Sequence, residues 1–69
     1  MRLLLIEDSP RLQETLREGF TRAGFAVDVV GEGRLGLTFA KRDHYDALVL
    51  DLMLPDMSGL EVLRELRGA

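Results

Sequence analysis

The chain has 69 residues, a net charge of −3 at pH 7 and no cysteine, so it makes one domain at most, with neither a disulfide framework nor a cysteine-based zinc site. Its basic and acidic residues are interspersed, which argues against a non-specific grip on nucleic acid, and no apolar stretch approaches a membrane span. The opening MRLLLIEDSP holds too short an apolar run, ended by two acids, to act as a signal peptide; a soluble cytoplasmic protein is the expectation.

In chain order, Leu3 to Ile6 is a continuous apolar run and a candidate buried strand, β1, ended by Glu7 and Asp8. Ser9-Pro10 starts a helix, with serine as N-cap and proline at the first helical position. Leu12, Leu16, Phe20 and Ala23 give this helix, α1, one apolar face, and Gly24 is placed to stop it. Phe25 to Val30 is β2, nearer an edge because Asp28 interrupts it. Gly31 to Gly33 turns the chain. A short α2 follows, supported by Leu35, Phe39 and Ala40, and it ends in Lys41 and Arg42, where cations suit a helix C-terminus. Asp43 to Asp46 is a polar connection, in which His44 reads as a surface residue and Tyr45 as cover for the lower edge of the sheet. Ala47 to Leu50 is β3, a second candidate buried strand. Ser58 and Glu61 have capping-box spacing and open α3, with Leu60, Leu63 and Leu66 as its expected inner face. Phe20, Phe25 and Phe39 read as core, and Met53 and Met57 as cover for apolar surface. The β-α-β-α-β-α pattern with short connections predicts a parallel sheet with helices on both sides.

Glu7 and Asp8 lie at the carboxyl end of β1, and Asp51 at the carboxyl end of β3. In open α/β sheets that edge is where ligands collect. If β1 and β3 are neighbours, three like charges converge there and resist joint ionisation unless a cation joins them. Hard oxygen ligands suit Mg²⁺, which keeps several of its waters. A carboxylate beside such an ion can act as a nucleophile toward phosphorus. The same acids also fit a plainer use, as helix caps or solvated loop residues.

The segments LLIEDSP and ALVLDLMLPDMSGLEVLRELR resemble the first half of a response-regulator receiver domain of two-component signalling, of the subfamily whose receivers precede a winged-helix DNA-binding domain. The resemblance covers essentially the whole chain. It implies an α/β, flavodoxin-like (CheY-like) half domain over residues 1–69, with a three-stranded parallel sheet of order 2-1-3 and three helices. It implies Asp51 as phosphoacceptor, and Glu7, Asp8, Asp51 and the backbone carbonyl of Met53 as the Mg²⁺ site. Pro55 and Gly59 would shape the loop into α3. The phosphoryl donor would be a phosphohistidine on a sensor histidine kinase, docking on the α1 face near Arg11, Gln13 and Glu14. The role is that of a switch acting on transcription rather than an enzyme in the ordinary sense. Glu7, where many relatives carry Asp, keeps the charge.

Receivers of this family continue through two more strands and helices, which carry a Ser/Thr and a Lys that contact the phosphoryl group. Lys41, at the end of α2, lies on the wrong element to replace that lysine. This suggests a fragment or truncation with an open β3 edge, and hence self-association through β3 and α3, most simply as a two-fold dimer. A non-phosphorylatable interaction fragment is therefore one alternative. A dinucleotide-binding βαβ unit is another, because Gly31-x-Gly33-x-x-Gly36 follows a strand and opens a helix, with Asp51 about twenty residues on. The glycines equally fit a tight turn at Gly31 and Gly33 and close helix packing at Gly36.

Overall fold

The structure is a computed structural model and describes residues 1–68. The elements are β1 Arg2–Ile6, α1 Pro10–Arg22, β2 Ala26–Val30, α2 Gly33–Arg42, β3 Ala47–Leu50 and α3 Gly59–Gly68. The strands form one parallel sheet in the order β2-β1-β3. The apolar run of β1 takes the centre: Leu3, Leu4, Leu5 and Ile6 are all at most 1% exposed. Burying each such side chain is worth about 1.5–3 kcal/mol. Both flanking strands are only partly covered. For Ala47–Leu50 this corrects the expectation of a buried strand, because β3 has a paired neighbour on one side only.

Alternation along β1 divides the core. Leu4 and Ile6 pack with Val30, Leu37 and Val62 beneath α2 and α3. Leu3 and Leu5 face the other way, toward α1. Helix α1 starts as expected: the Ser9 hydroxyl accepts the Leu12 N–H at 3.4 Å, and Pro10 follows the cap. It stops at Gly24, the one described residue with positive φ (+100°), a conformation only glycine adopts cheaply. Leu12 is 48% exposed, so the α1 face packs mainly through half-buried Leu16 and Phe20. Phe20 meets Phe25 edge to face, with ring centroids 6.1 Å apart.

The inner faces of α2 and α3 match the expected ones only in part: Phe39, Ala40 and Leu66 pack against the core, whereas Leu35 and Leu60 are exposed. In α2, Leu35 is exposed and Gly33, Gly36 and Leu37 are buried. In α3, Leu60 is 57% exposed, and Gly59 and Val62 are buried instead, with Leu66 packed on the core. The cause is close approach. A Cβ on Gly36 would run into the Ile6 side chain, and one on Gly59 into the Asp51 carbonyl and the Leu52 Cα. Glycines 36 and 59 therefore face inward, and each sets the rotation of its helix. Position 62 is three residues past Gly59 and 66 is four further, so these share its face.

At the end of the sheet opposite the carboxyl edge, Asp28 has partners that explain a carboxylate inside a strand. Tyr45 Oη donates to it at 2.6 Å, and Arg2 Nη2 pairs with it at 3.0 Å. The Arg2 guanidinium lies 4.8 Å from the centroid of the Tyr45 ring. His44 is a surface residue as expected, its side chain 89% exposed.

Candidate functional site

The parallel register sets Ile6 between Val30 and Leu50, so β1 and β3 end level. The ladder continues one residue past each strand. Asp51 N–H donates to the Ile6 carbonyl at 2.9 Å, and Glu7 N–H to the Val30 carbonyl at 3.0 Å. The residues that follow these two strands are the acids, and pairing brings them to one place. Glu7, Asp8 and Asp51 each offer a carboxylate oxygen within 4.8 Å of the others.

The three differ in setting. Glu7 is 7% exposed, the one buried charged side chain among the described residues. One of its oxygens, Oε2, accepts the Ser9 N–H at 2.9 Å, ahead of α1. One oxygen is thus engaged at the turn into α1, and the other remains for a ligand. The Gln13 side chain donates to the Glu7 carbonyl and ties the same peptide to α1. Gln13 is thus engaged within the chain, while Arg11 and Glu14 are exposed on the helix. Asp8 is exposed and Asp51 half-buried. Asp51 Oδ1 accepts the Met53 N–H at 3.1 Å, which turns the chain back at once beyond the strand. The Met53 side chain is 83% exposed and covers nothing, contrary to expectation, whereas Met57 packs against the core.

The loop from Asp51 to α3 is fastened at several points. Met53 and Ser58 form an antiparallel bridge, and Gly59 N–H donates to the Leu52 carbonyl at 2.9 Å. The capping box forms in both directions: Ser58 Oγ accepts the Glu61 N–H at 3.1 Å, and Glu61 Oε1 accepts the Ser58 N–H at 3.2 Å. Asp56, which sequence reasoning passed over, reaches across to α2. Its Oδ1 accepts the Gly33 N–H at 2.8 Å and its Oδ2 the Arg34 N–H at 2.9 Å. Those two amide N–H groups hold its carboxyl below the usual carboxylate range. The signal that could have found it is an absence: Glu32, at the N-cap of α2, makes no side-chain cap bond.

This arrangement overturns the dinucleotide alternative. The first-turn N–H groups that a pyrophosphate would need already serve Asp56. Met57 and Val62 press on Gly33 where a cofactor would lie, and Gly36 meets Ile6. Neither Gly31 nor Gly33 has positive φ, so a left-handed turn is not their use either.

The donor set suits a hard divalent cation. It is all oxygen, anionic and partly exposed, and among the described residues none of the ion pairs engages Glu7, Asp8 or Asp51. A three-stranded parallel sheet of order 2-1-3, with acids gathered at its carboxyl edge, is the architecture shared with CheY-like receiver domains. The response regulator receiver domain family matches residues 3–69, and the chain belongs to it. The transcriptional regulatory protein HprR of Escherichia coli (strain K12) is 46% identical over the whole chain, which spans 31% of HprR. The response regulator TrrA of Thermotoga maritima, solved in complex with Mg²⁺-BeF, superposes with a TM-score of 0.94 at 34% identity, covering 97% of this chain and 58% of TrrA. TrrA is also known in complex with the histidine kinase ThkA, and there the TM-score is 0.91. The resemblance seen in the acidic pair Glu7-Asp8, in Asp51 and in the proline-glycine loop thus holds across the fold.

Proposed function

We propose that this chain is the phosphoryl-accepting part of a two-component response regulator, with Asp51 as the acceptor. Glu7, Asp8, Asp51 and the backbone carbonyl of Met53 would be the protein ligands of Mg²⁺. The observation that carries this reading is the convergence of the three carboxylates, oxygens within 4.8 Å, with no ion pair among the described residues to balance them. An Asp51 carboxylate oxygen attacks the phosphorus of a phosphohistidine on a sensor histidine kinase. The P–N bond breaks, and its electron pair leaves on the imidazole, giving an aspartyl phosphate. Bound Mg²⁺ supplies neutralisation of the charge on the transferring group. The chain's own part is to hold the acceptor still. Asp51 is fixed by its backbone bond to Ile6 and by the Met53 N–H on Oδ1, which leaves Oδ2 for attack.

The transcriptional output is proposed by likeness to HprR, and the kinase partner by likeness to TrrA with ThkA. Cytoplasmic action goes with that reading; no helix among the described residues is long and apolar enough to cross a membrane. Direct contact with nucleic acid forms no part of it, in keeping with the net charge of −3.

The test is intact mass after incubation with acetyl phosphate and Mg²⁺. One metal-dependent phosphoryl adduct is expected, absent in Asp51→Asn. An adduct that persists in Asp51→Asn moves the acceptor elsewhere. A second reading, self-association, is favoured by the outer edge of β3, which pairs with no strand among the described residues, and by Leu52 and Leu60 beyond it, 59% and 57% exposed. Sedimentation of the 69-residue chain as a monomer at high concentration counts against it.

A further inference from the structure

Asp56 does something that neither the acidic cluster nor the resemblance accounts for. It lies in the loop between the acceptor strand and α3, yet both of its carboxylate oxygens bond to the first turn of another helix, 23 and 22 residues away in sequence. Helix α2 has no cap of its own at Glu32, so Asp56 supplies the missing acceptor from a distance. An apolar contact works alongside it. Met57 lies so close to Gly33 that any Cβ there would collide with its Cγ and Sδ. Two successive loop residues thus grip the start of α2, one through charge-assisted hydrogen bonds and one through packing.

The same loop carries Met53. Its N–H is on Asp51 Oδ1, and its strand-like bridge to Ser58 closes the loop two residues past Asp56. The segment 52–58 is therefore tied to the sheet at one end, to α3 at the other and to α2 in the middle. Leu54 also packs on the core, but only the middle tie is made by loop side-chain hydrogen bonds to a distant element.

We propose that Asp56 is a positioning residue, whose clasp on the first turn of α2 holds the 52–58 loop in the arrangement that presents the metal-binding backbone. The inference rests on the Mg²⁺ reading above. The clasp and the metal then stabilise one loop arrangement, and their energies are coupled. Coupling is reciprocal: what the clasp contributes to metal affinity, the metal returns to the clasp. A cap that merely stabilised α2 would have no such link.

The experiment measures both directions. Mg²⁺ affinity is determined by titration calorimetry for the unaltered chain, Asp56→Ala and Asp56→Asn, each first shown to be folded by circular dichroism. Amide hydrogen exchange at Gly33 and Arg34 is followed with and without Mg²⁺. Asp56→Ala is expected to weaken Mg²⁺ binding about 5-fold or more, a typical coupling between linked sites. Asp56→Asn keeps one acceptor oxygen and should lose less. In the unaltered chain, Mg²⁺ should slow exchange at Gly33 and Arg34 by a comparable factor. If the unaltered chain binds Mg²⁺ while exchange at these amides ignores it, the positioning role is overturned, whether or not Asp56→Ala folds. Equal Mg²⁺ affinity in folded Asp56→Ala overturns it too. Failure of the unaltered chain to bind Mg²⁺ removes the metal reading, and this inference with it.

Discussion

Adding one methyl group at Gly59 sets two forces against each other. Glycine to alanine within a helix gains about 1 kcal/mol in propensity. Gly59 is the first residue of α3 and its φ is not positive, so no left-handed backbone strain opposes the change. Space does. The new Cβ would fall on the Asp51 carbonyl and the Leu52 Cα. These are backbone atoms at the strand exit and cannot rotate aside as a side chain would. Overpacking costs about 1–3 kcal/mol, and an unyielding backbone places this site at the upper end. The net expectation for Gly59→Ala is a loss of about 1–2 kcal/mol. Gly19 supplies the control: it lies within α1, and a Cβ there meets nothing within 4 Å. Gly19→Ala should therefore gain about 0.5–1 kcal/mol. Urea unfolding followed by circular dichroism reads both. In a domain this small, 1 kcal/mol also moves Tm by about 4–8 °C. Opposite signs are required. A Gly59→Ala chain as stable as the parent, or shifted in the same direction as Gly19→Ala, would refute the close-approach reasoning and the account of how α3 is oriented.

The same orientation predicts a contrast one turn on. Val62→Ala, at a residue 0% exposed, should cost about 2–3 kcal/mol in lost burial and cavity. Leu60→Ala, at a residue 57% exposed, should stay within about 0.5 kcal/mol; denaturation giving the reverse order would put Leu60 on the inner face after all. At the other end of the sheet, burial and the Asp28 hydrogen bond push the Tyr45 phenol up to about 12. The folded chain keeps a proton that the unfolded chain gives up near pH 10.0, so this stabilisation is whole below that pH and fades as pH rises towards about 12. Ultraviolet titration of the single tyrosine checks it, and a midpoint at the ordinary 10.0 refutes it. Tyr45→Phe should also let the Asp28 carboxyl rise toward its usual range, because the Tyr45 hydroxyl is the chief cause holding it down.

Local chemistry made much of this protein legible in its sequence. Ser9-Pro10, Gly24 and the Ser58–Glu61 pair are signals whose partners lie within a few residues, and each forms as read. The acidic triad was legible because strand ends place acids at one edge once pairing is assumed, and the register supplies that pairing. Two features depended on distant contacts and stayed hidden. By bulk and spacing Leu35 and Leu60 look like inner-face residues, and close packing is legible at Gly36 but not at Gly59. The glycines decided the matter, by marking where backbone or side chain comes too close for a Cβ.

Asp56 is the sharper case, because its partners belong to a helix that begins 23 residues earlier. Seen from its neighbours it is an acid in a polar loop. Seen from Glu32 it is the answer to an uncapped helix. The glycine fingerprint and the loop aspartate are thus one feature seen from its two sides. The first turn of α2 is an anion site, as the fingerprint suggests, and the anion it holds is the chain's own carboxylate. That single assignment disposes of the nucleotide and leaves Gly33 explained by Met57. It also ties the loop beyond Asp51 to the first turn of α2.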